Sequence, residues 1–131
     1  VDEGIISVEE YSGKEKISLI KRIILPNVKG TCIIDVALKS SAAYPSVTTA
    51  VRVSEHEAIV AVGCVADHVV RLKELESGIL DGTLEGQSLA DAVAKAVNPV
   101  SDLQGSAEYK RYIAGSMVAH AVEISGNEVQ I

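Results

Sequence analysis

Residues 47–65 read VTTAVRVSEHEAIVAVGCV and have the pattern of two β-strands joined by a polar turn. Between Val47 and Val53, β-branched residues occupy every second position, which is the period of a half-buried strand. The polar turn at 54–57 leads into a second apolar run from Ala58 to Val65. The two runs are therefore predicted to form a hairpin.

Extended patterns precede this hairpin and helical patterns follow it. Residues 17–25 and 30–38 are rich in Ile, Val and Leu and are predicted to be strands. Downstream, apolar residues recur with helical spacing in three segments, Leu72–Ile79, Leu89–Val97 and a last helix that Ser106 can cap. This order predicts an α+β fold, an antiparallel sheet of three or four strands followed by three helices packed on one face.

Three local features of the helices are also predicted. Ser88 and Asp91 have the spacing of a capping box at the start of the second helix. The last helix is apolar on two sides, so both sides are expected to be buried. From Ser125 onward the chain is expected to leave the helix as a turn and a short terminal strand.

Composition limits the classes of partner. With 131 residues, of which 47% are apolar, the chain is expected to form a single domain over 1–131, with a flexible segment at 1–14. The net charge of −6 disfavours nucleic acid, and no apolar run reaches the length of a membrane span. The first residue is Val1, from which a processed or excised piece is expected.

No catalytic or metal-binding set is evident in the sequence. The three histidines are scattered, and the two cysteines, Cys32 and Cys64, do not form a Cys-x-x-Cys pair. Both cysteines lie in apolar, strand-like sequence and are predicted to be buried, reduced thiols, which suits a cytoplasmic protein.

Several motifs occur in an order that matches one known family. Residues 101–111 read SDLQGSAEYKR and open a helix rich in small residues. Upstream of them lie YPSVTTAV at 44–51, GCVA at 63–66 and VRL at 70–72. Together these motifs resemble the C-terminal domain of the FAD-binding (medium) subunit of molybdenum hydroxylases, the family of carbon monoxide dehydrogenase, xanthine dehydrogenase and aldehyde oxidase.

The resemblance implies a domain that is not catalytic alone. In that family FAD is held mainly by two upstream domains, which are absent from this sequence, and the C-terminal domain covers the side of the flavin. The implied partners are those FAD-binding domains, an iron–sulfur subunit and a molybdenum subunit. The implied role is packing within a cytoplasmic oxidoreductase that passes electrons from iron–sulfur clusters through FAD to an acceptor.

The resemblance also indicates candidate cofactor-binding residues. A family loop of the form Arg-Arg/Lys-x-x-Asp approaches the flavin ring, and residues 39–43 occupy the matching positions. Lys39 keeps the first basic residue, whereas Ala43 stands at the acidic position. Lys39 and Tyr44 are therefore the predicted flavin-contacting residues, and no catalytic or metal-binding residue is predicted. The alternative is a free-standing α+β interaction or dimerisation module without catalytic activity, which would form a homodimer in isolation.

Overall fold

In a computed structural model, the described part of the chain comprises residues 4–14, 19–25, 27, 31–38, 40 and 44–129. Within it the secondary-structure elements follow the order of the predicted architecture, strands before the main helices. They are α1 (Val8–Ser12), β1 (Thr31–Leu38), β2 (Pro45–Val53), β3 (Ala58–Gly63), β4 (Val70–Arg71), α2 (Lys73–Leu80), α3 (Gly86–Ala96) and α4 (Ala107–Val129).

The four strands form one antiparallel sheet in the order β1-β2-β3-β4. The predicted hairpin is confirmed as β2 and β3, which pair from Val53 with Ala58 to Thr48 with Gly63. β1 pairs with β2 along its whole length, with an irregularity between Ala37 and Leu38. The α+β class and the antiparallel sheet are therefore as predicted.

The core lies between the sheet and the helices. Valines of β2 and β3 point inward because side chains alternate between the two faces of a strand. α4 packs across β1 and β2, and α3 packs on α4. The side chains at the centre of this core are fully buried, namely Val47, Val51, Val60, Val62, Leu89, Val93 and Val118.

The sheet edge beyond β3 is completed by a side chain. β4 has only two residues, and beyond it the carboxylate of Glu76 accepts a hydrogen bond from the backbone N–H of Val60 at 3.1 Å. The same carboxylate receives two hydrogen bonds from Arg71, at 2.8 Å from Nε and 2.7 Å from Nη2. Burial disfavours the charged form, but these hydrogen bonds outweigh it and hold the pKa of Glu76 below its ordinary value.

The first predicted strand is wrong over its described part. Residues 19–25 form no regular strand, and Leu19 and Leu25 are more than four-fifths exposed. An apolar pattern cannot by itself supply the neighbouring backbone that a strand must pair with. A short helix, α1, was also not predicted.

Helix boundaries differ from the prediction at two ends. α3 begins one turn earlier than expected, because Glu85 is the N-cap and Ser88 is the reciprocal partner in the capping box, not its first residue. α4 continues through Ser125, whose hydroxyl donates to the carbonyl of Ala121 at 2.8 Å and so stays compatible with the helix. The prediction of a turn at Ser125 is wrong.

α4 is fully buried on one side and only partly buried on the other. Ala114, Val118 and Ala121 are fully buried, whereas Tyr112 is 69% exposed. His120, on the same side as Tyr112, is also exposed. The second side is therefore mixed, because Ile113 and Met117 pack against the core while Tyr112 and His120 face solvent.

Candidate functional site

Three connections of the fold meet at one end of the sheet. The antiparallel register places the end of β1, the start of β2 and the end of β3 side by side, since Leu38 pairs with Pro45 and Thr48 with Gly63. The segment between α3 and α4 reaches the same end, where the Ser46 hydroxyl donates to the carbonyl of Gln104 at 2.6 Å. Two clefts open here, and we call them together the sheet-end cleft.

The two halves of the sheet-end cleft meet at Asp102. One half, of about 310 Å³, is lined by Ser46, the turn at 102–106 and Tyr109. The other half, of about 300 Å³, has a more apolar lining, and its residues come from the ends of several helices and strands. It is formed by Pro45, Cys64, Val65, Ala66, Asn98, Val100, Asp102 and Lys110.

An ion pair between a buried lysine and a half-exposed aspartate lies between the two halves. Lys110 is in the first turn of α4 with a side chain only 3% exposed, and its Nζ lies 2.5 Å from Oδ2 of Asp102. The hydrogen bond from Lys110, together with one from the backbone N–H of Gln104, holds the pKa of Asp102 below its ordinary value. A buried ammonium requires such a partner, because an unpaired charge in the interior is strongly unfavourable.

The turn that carries Asp102 is fixed by its own hydrogen bonds. The backbone N–H of Asp102 donates to the carbonyl of Gly105 at 3.0 Å, and the N–H of Gly105 donates back at 3.2 Å. Oδ1 of Asp102 accepts from the N–H of Gln104 at 2.8 Å. A Cβ at position 105 would lie 2.9 Å from Cδ1 of Tyr109, so only glycine allows this ring to pack on the turn.

Serines on both sides of the turn start α4. Ser106, predicted as the cap, accepts a hydrogen bond from the N–H of Tyr109 at 3.1 Å. Ser101 accepts from the N–H of Ala107 at 2.9 Å. The motif at 101–111 thus specifies a rigid, internally bonded wall of the cleft, and its serines and Gly105 have structural roles.

Cys64 lines the cleft in an unusual backbone conformation. Its φ of 65° lies in the left-handed region, which a residue with a Cβ adopts only at an energetic cost. Cys32 and Cys64 are both exposed, so the prediction that both thiols are buried is wrong. The prediction rested on the apolar residues next to each cysteine in the sequence. Cys64 instead follows the last residue of β3, and Cys32 lies on the outer face of β1.

The two predicted flavin-contacting residues have different outcomes. Lys39 lies outside the described residues, as do positions 41–43 of the same loop. Tyr44 is 81% exposed and directly precedes Pro45, which lines the cleft. Both remain predictions as cofactor contacts.

Sequence analysis missed the principal polar contacts of the cleft. Asp102 and Lys110 were predicted only as part of a family motif, with no chemical role, although they form the central ion pair of the cleft. The sequence did contain a signal for this pair. An acidic residue precedes the helix, a lysine lies in its first turn, and the two are only eight positions apart, so a local ion pair could have been predicted. The bond between Ser46 and Gln104 spans 58 positions and had no local signal.

The cleft fits contact with one edge of a cofactor and not the enclosure of a whole dinucleotide. Its cation, Lys110, is already paired with Asp102, so it is not available to a pyrophosphate. In the described ranges, no three His, Cys, Asp or Glu side chains lie close enough together to hold a metal ion.

Comparison with known proteins shows which chains this one is similar to. Residues 34–124 match the family model described as CO dehydrogenase flavoprotein C-terminal domain. The chain is 36% identical over 115 residues to the uncharacterized protein YgfM of Escherichia coli (strain K12), a match that covers 87% of this chain and 43% of YgfM.

Two solved structures share the fold. Quinoline 2-oxidoreductase from Pseudomonas putida 86 superimposes with a TM-score of 0.71 at 16% identity, covering 82% of this chain and 40% of that one. A Cu,Mo-CO dehydrogenase in its cyanide-inactivated form gives 0.65 at 22% identity, covering 79% and 39%. The chain therefore spans less than half the length of the relatives it matches. No helix in the described part of the chain is long and apolar enough to cross a membrane.

Proposed function

Because the chain belongs to the CO dehydrogenase flavoprotein C-terminal domain family, we propose that it serves as the C-terminal domain of the FAD subunit of a molybdenum hydroxylase. In that role it covers one side of a flavin that other polypeptide binds, and it packs against the other parts of the complex. The match over residues 34–124 is the observation that carries this proposal.

The shape of the sheet-end cleft supports a covering role. Its wall is held together by the bonds of Asp102 to Lys110 and to its own turn, and Tyr44, which directly precedes the lining residue Pro45, is exposed. Such a wall can exclude water from one edge of a flavin without binding the rest of the molecule. Lys39 is proposed to add a positive charge at the same loop, which would stabilise a reduced, anionic ring.

The chemistry would belong to the assembled complex. A bound flavin would supply electron transfer between iron–sulfur clusters and a final acceptor, while substrate hydroxylation would take place on a molybdenum subunit. This chain contributes position, cover and contact surface. It is therefore expected to bind FAD weakly or not at all when isolated.

A chimera of YgfM tests this proposal. The part of YgfM that aligns with this chain is replaced by this chain, and the purified product is examined by visible absorption and flavin fluorescence. We expect the chimera to retain FAD, and Tyr44→Ala or Lys39→Ala to shift the flavin spectrum or its reduction potential. The matched control is Tyr112→Ala, since Tyr112 is an exposed tyrosine on α4, outside the cleft lining.

Two results would contradict the proposal. One is sub-micromolar FAD binding by the isolated chain in a fluorescence titration, which would give it a complete site of its own. The other is a chimera whose flavin content, spectrum and potential change in neither Tyr44→Ala nor Lys39→Ala.

A further inference from the structure

The outer face of β1 is apolar and uncovered in the described structure. Exposure alternates along the strand, and its exposed members share the face opposite the helices. Ile34 is 70% exposed, Val36 50% and Leu38 47%, with Cys32 exposed in the same row. A contiguous aliphatic surface of this kind on a sheet is typical of a contact with another domain or another polypeptide.

The segment that leads toward β1 has the same character. Leu19, Ile23 and Leu25 are each more than 70% exposed. A cluster of exposed aliphatic side chains is unfavourable in water and is unusual in a segment that faces only solvent. We call the exposed row of β1 and the exposed aliphatic side chains of residues 19–25 the N-terminal apolar surface. Residues 19–25 lie before the point where the family domain begins, at residue 34, and β1 spans that point.

The comparisons indicate what covers this surface. The alignment with YgfM spans 87% of the chain, whereas the family domain ends at residue 124 and few residues follow it. The aligned sequence must therefore include part of the stretch before residue 34. The match covers 43% of YgfM, so more than half of that relative lies outside the aligned part and would be available to contact this surface.

We infer that the N-terminal apolar surface is the docking site for the flavin-binding part of the flavoprotein, leaving the sheet-end cleft to face the flavin. This inference rests on the proposed function and identifies the surface by which the domain is held. The occupant is a polypeptide with a complementary aliphatic surface, whether it is joined to this chain or separate from it.

Cys32 provides a direct probe of the surface. It lies in the same exposed row as Ile34 and Val36, so a docked partner would cover its thiol and slow its alkylation. The rate of Cys32 alkylation is measured by peptide mass spectrometry, in the isolated chain and in the YgfM chimera. We expect the chimera to react more slowly by at least about tenfold, because a thiol in an interface is reached only when the contact opens.

Variants separate docking from general folding. Ile34→Asp or Val36→Asp would place a charge in the contact and should restore most of the Cys32 reactivity in the chimera. Both side chains face solvent in the isolated chain, so its circular dichroism and thermal midpoint should change little. Leu80→Asp is the matched control, since Leu80 is an exposed aliphatic residue on α2 and should leave Cys32 protected.

The outcomes distinguish this inference from the proposed function. A chimera that retains flavin while Cys32 reacts as in the isolated chain would overturn the docking surface and leave the function standing. A chimera with protected Cys32 and no flavin would support the surface and contradict the function. Protection of Cys32 in the isolated chain that grows with concentration and is lost in Ile34→Asp would identify a second copy as the occupant and overturn the inference.

Discussion

Gly115 of α4 lies directly against the backbone of Ala90 in α3. A Cβ built at position 115 would fall 2.3 Å from the carbonyl oxygen of Ala90 and 3.0 Å from its carbonyl carbon. Backbone cannot move aside as the end of a flexible side chain can. The absence of a side chain at Gly115 therefore sets the distance between the two helices, and through α4 it sets the position of the buried Lys110.

The first prediction concerns this contact. Gly115→Ala should lower the free energy of unfolding by about 1–3 kcal/mol, the range for overpacked cores, even though alanine favours helix by about 1 kcal/mol. Chemical denaturation gives the measurement. Gly126→Ala is the matched control, since no heavy atom lies within 4 Å of a Cβ there, and it should stabilise the protein. Equal effects of the two changes would contradict the close approach.

The second prediction concerns a buried hydroxyl without a partner. Thr49 is 2% exposed, and its Oγ1 makes no hydrogen bond within the described structure. Thr49→Val should therefore raise the free energy of unfolding by about 1 kcal/mol. The valine side chain has nearly the same shape as threonine, and a methyl group replaces the unsatisfied hydroxyl. Ser46→Ala, in the same strand, should lower it by about 1 kcal/mol, because the Ser46 hydroxyl is bonded to Gln104. A loss of stability in Thr49→Val would show that the hydroxyl has a partner.

The third prediction concerns the pH dependence of the clamp between Arg71 and Glu76. The folded-state pKa of Glu76 is below its ordinary value, so the carboxylate contributes stability above the unfolded pKa of about 4.3. This contribution is lost as the pH falls through the folded pKa. Glu76→Gln should therefore lower the free energy of unfolding by about 2 kcal/mol at pH 7, and the difference from the parent should shrink below pH ~4.

The control for this clamp is a glutamate two positions before Glu76 in the same helix. Glu74→Gln changes an exposed carboxylate in the same helix and should alter the free energy of unfolding by less than about 0.5 kcal/mol. Denaturation curves at several pH values measure both variants. A gap between Glu76→Gln and its parent that stays constant down to acid pH would show that the charge of Glu76 is not what stabilises the sheet edge.

The fourth prediction concerns the backbone at Cys64. The left-handed conformation costs a non-glycine residue roughly 1–2 kcal/mol. Glycine avoids this cost, but its larger conformational entropy in the unfolded state offsets part of the stabilisation. Cys64→Gly should therefore stabilise the protein by about 0.5–1 kcal/mol. Cys64→Ala removes the thiol but keeps the Cβ, so it should bring no such gain. Thermal melts that rank the alanine variant above the glycine variant would refute the account.

Sequence patterns predicted those parts of the fold that short periodicities determine. The alternation from Val47 to Val53 and the helical spacing of Leu89 and Val93 reflect which side of one element is buried, and local sequence encodes that directly. The strand predicted at 17–25 failed because pairing depends on a neighbour. The N-cap at Glu85 was missed because serine can act at either end of a capping box.

The cleft was less accessible to prediction than the fold. The bond between Ser46 and Gln104 joins residues 58 positions apart and exists only because the sheet and the last two helices pack in one particular way. The family resemblance indicated Tyr44, which directly precedes the lining residue Pro45, and its contact with a flavin stays a prediction. It could not distinguish residues that build the wall, such as Asp102 and Lys110, from residues that face a ligand.

The carboxylate of Glu76 has a consequence for how the sheet can be extended. It occupies a backbone donor of β3 beyond the short β4, so an incoming strand from another molecule finds no free ladder on that side. β1 is the opposite border strand, and its outer hydrogen-bonding groups are not shared with another strand of the sheet. Growth by strand addition, whether in assembly or in misfolding, should therefore be favoured at the long border of β1 over the two-residue border of β4.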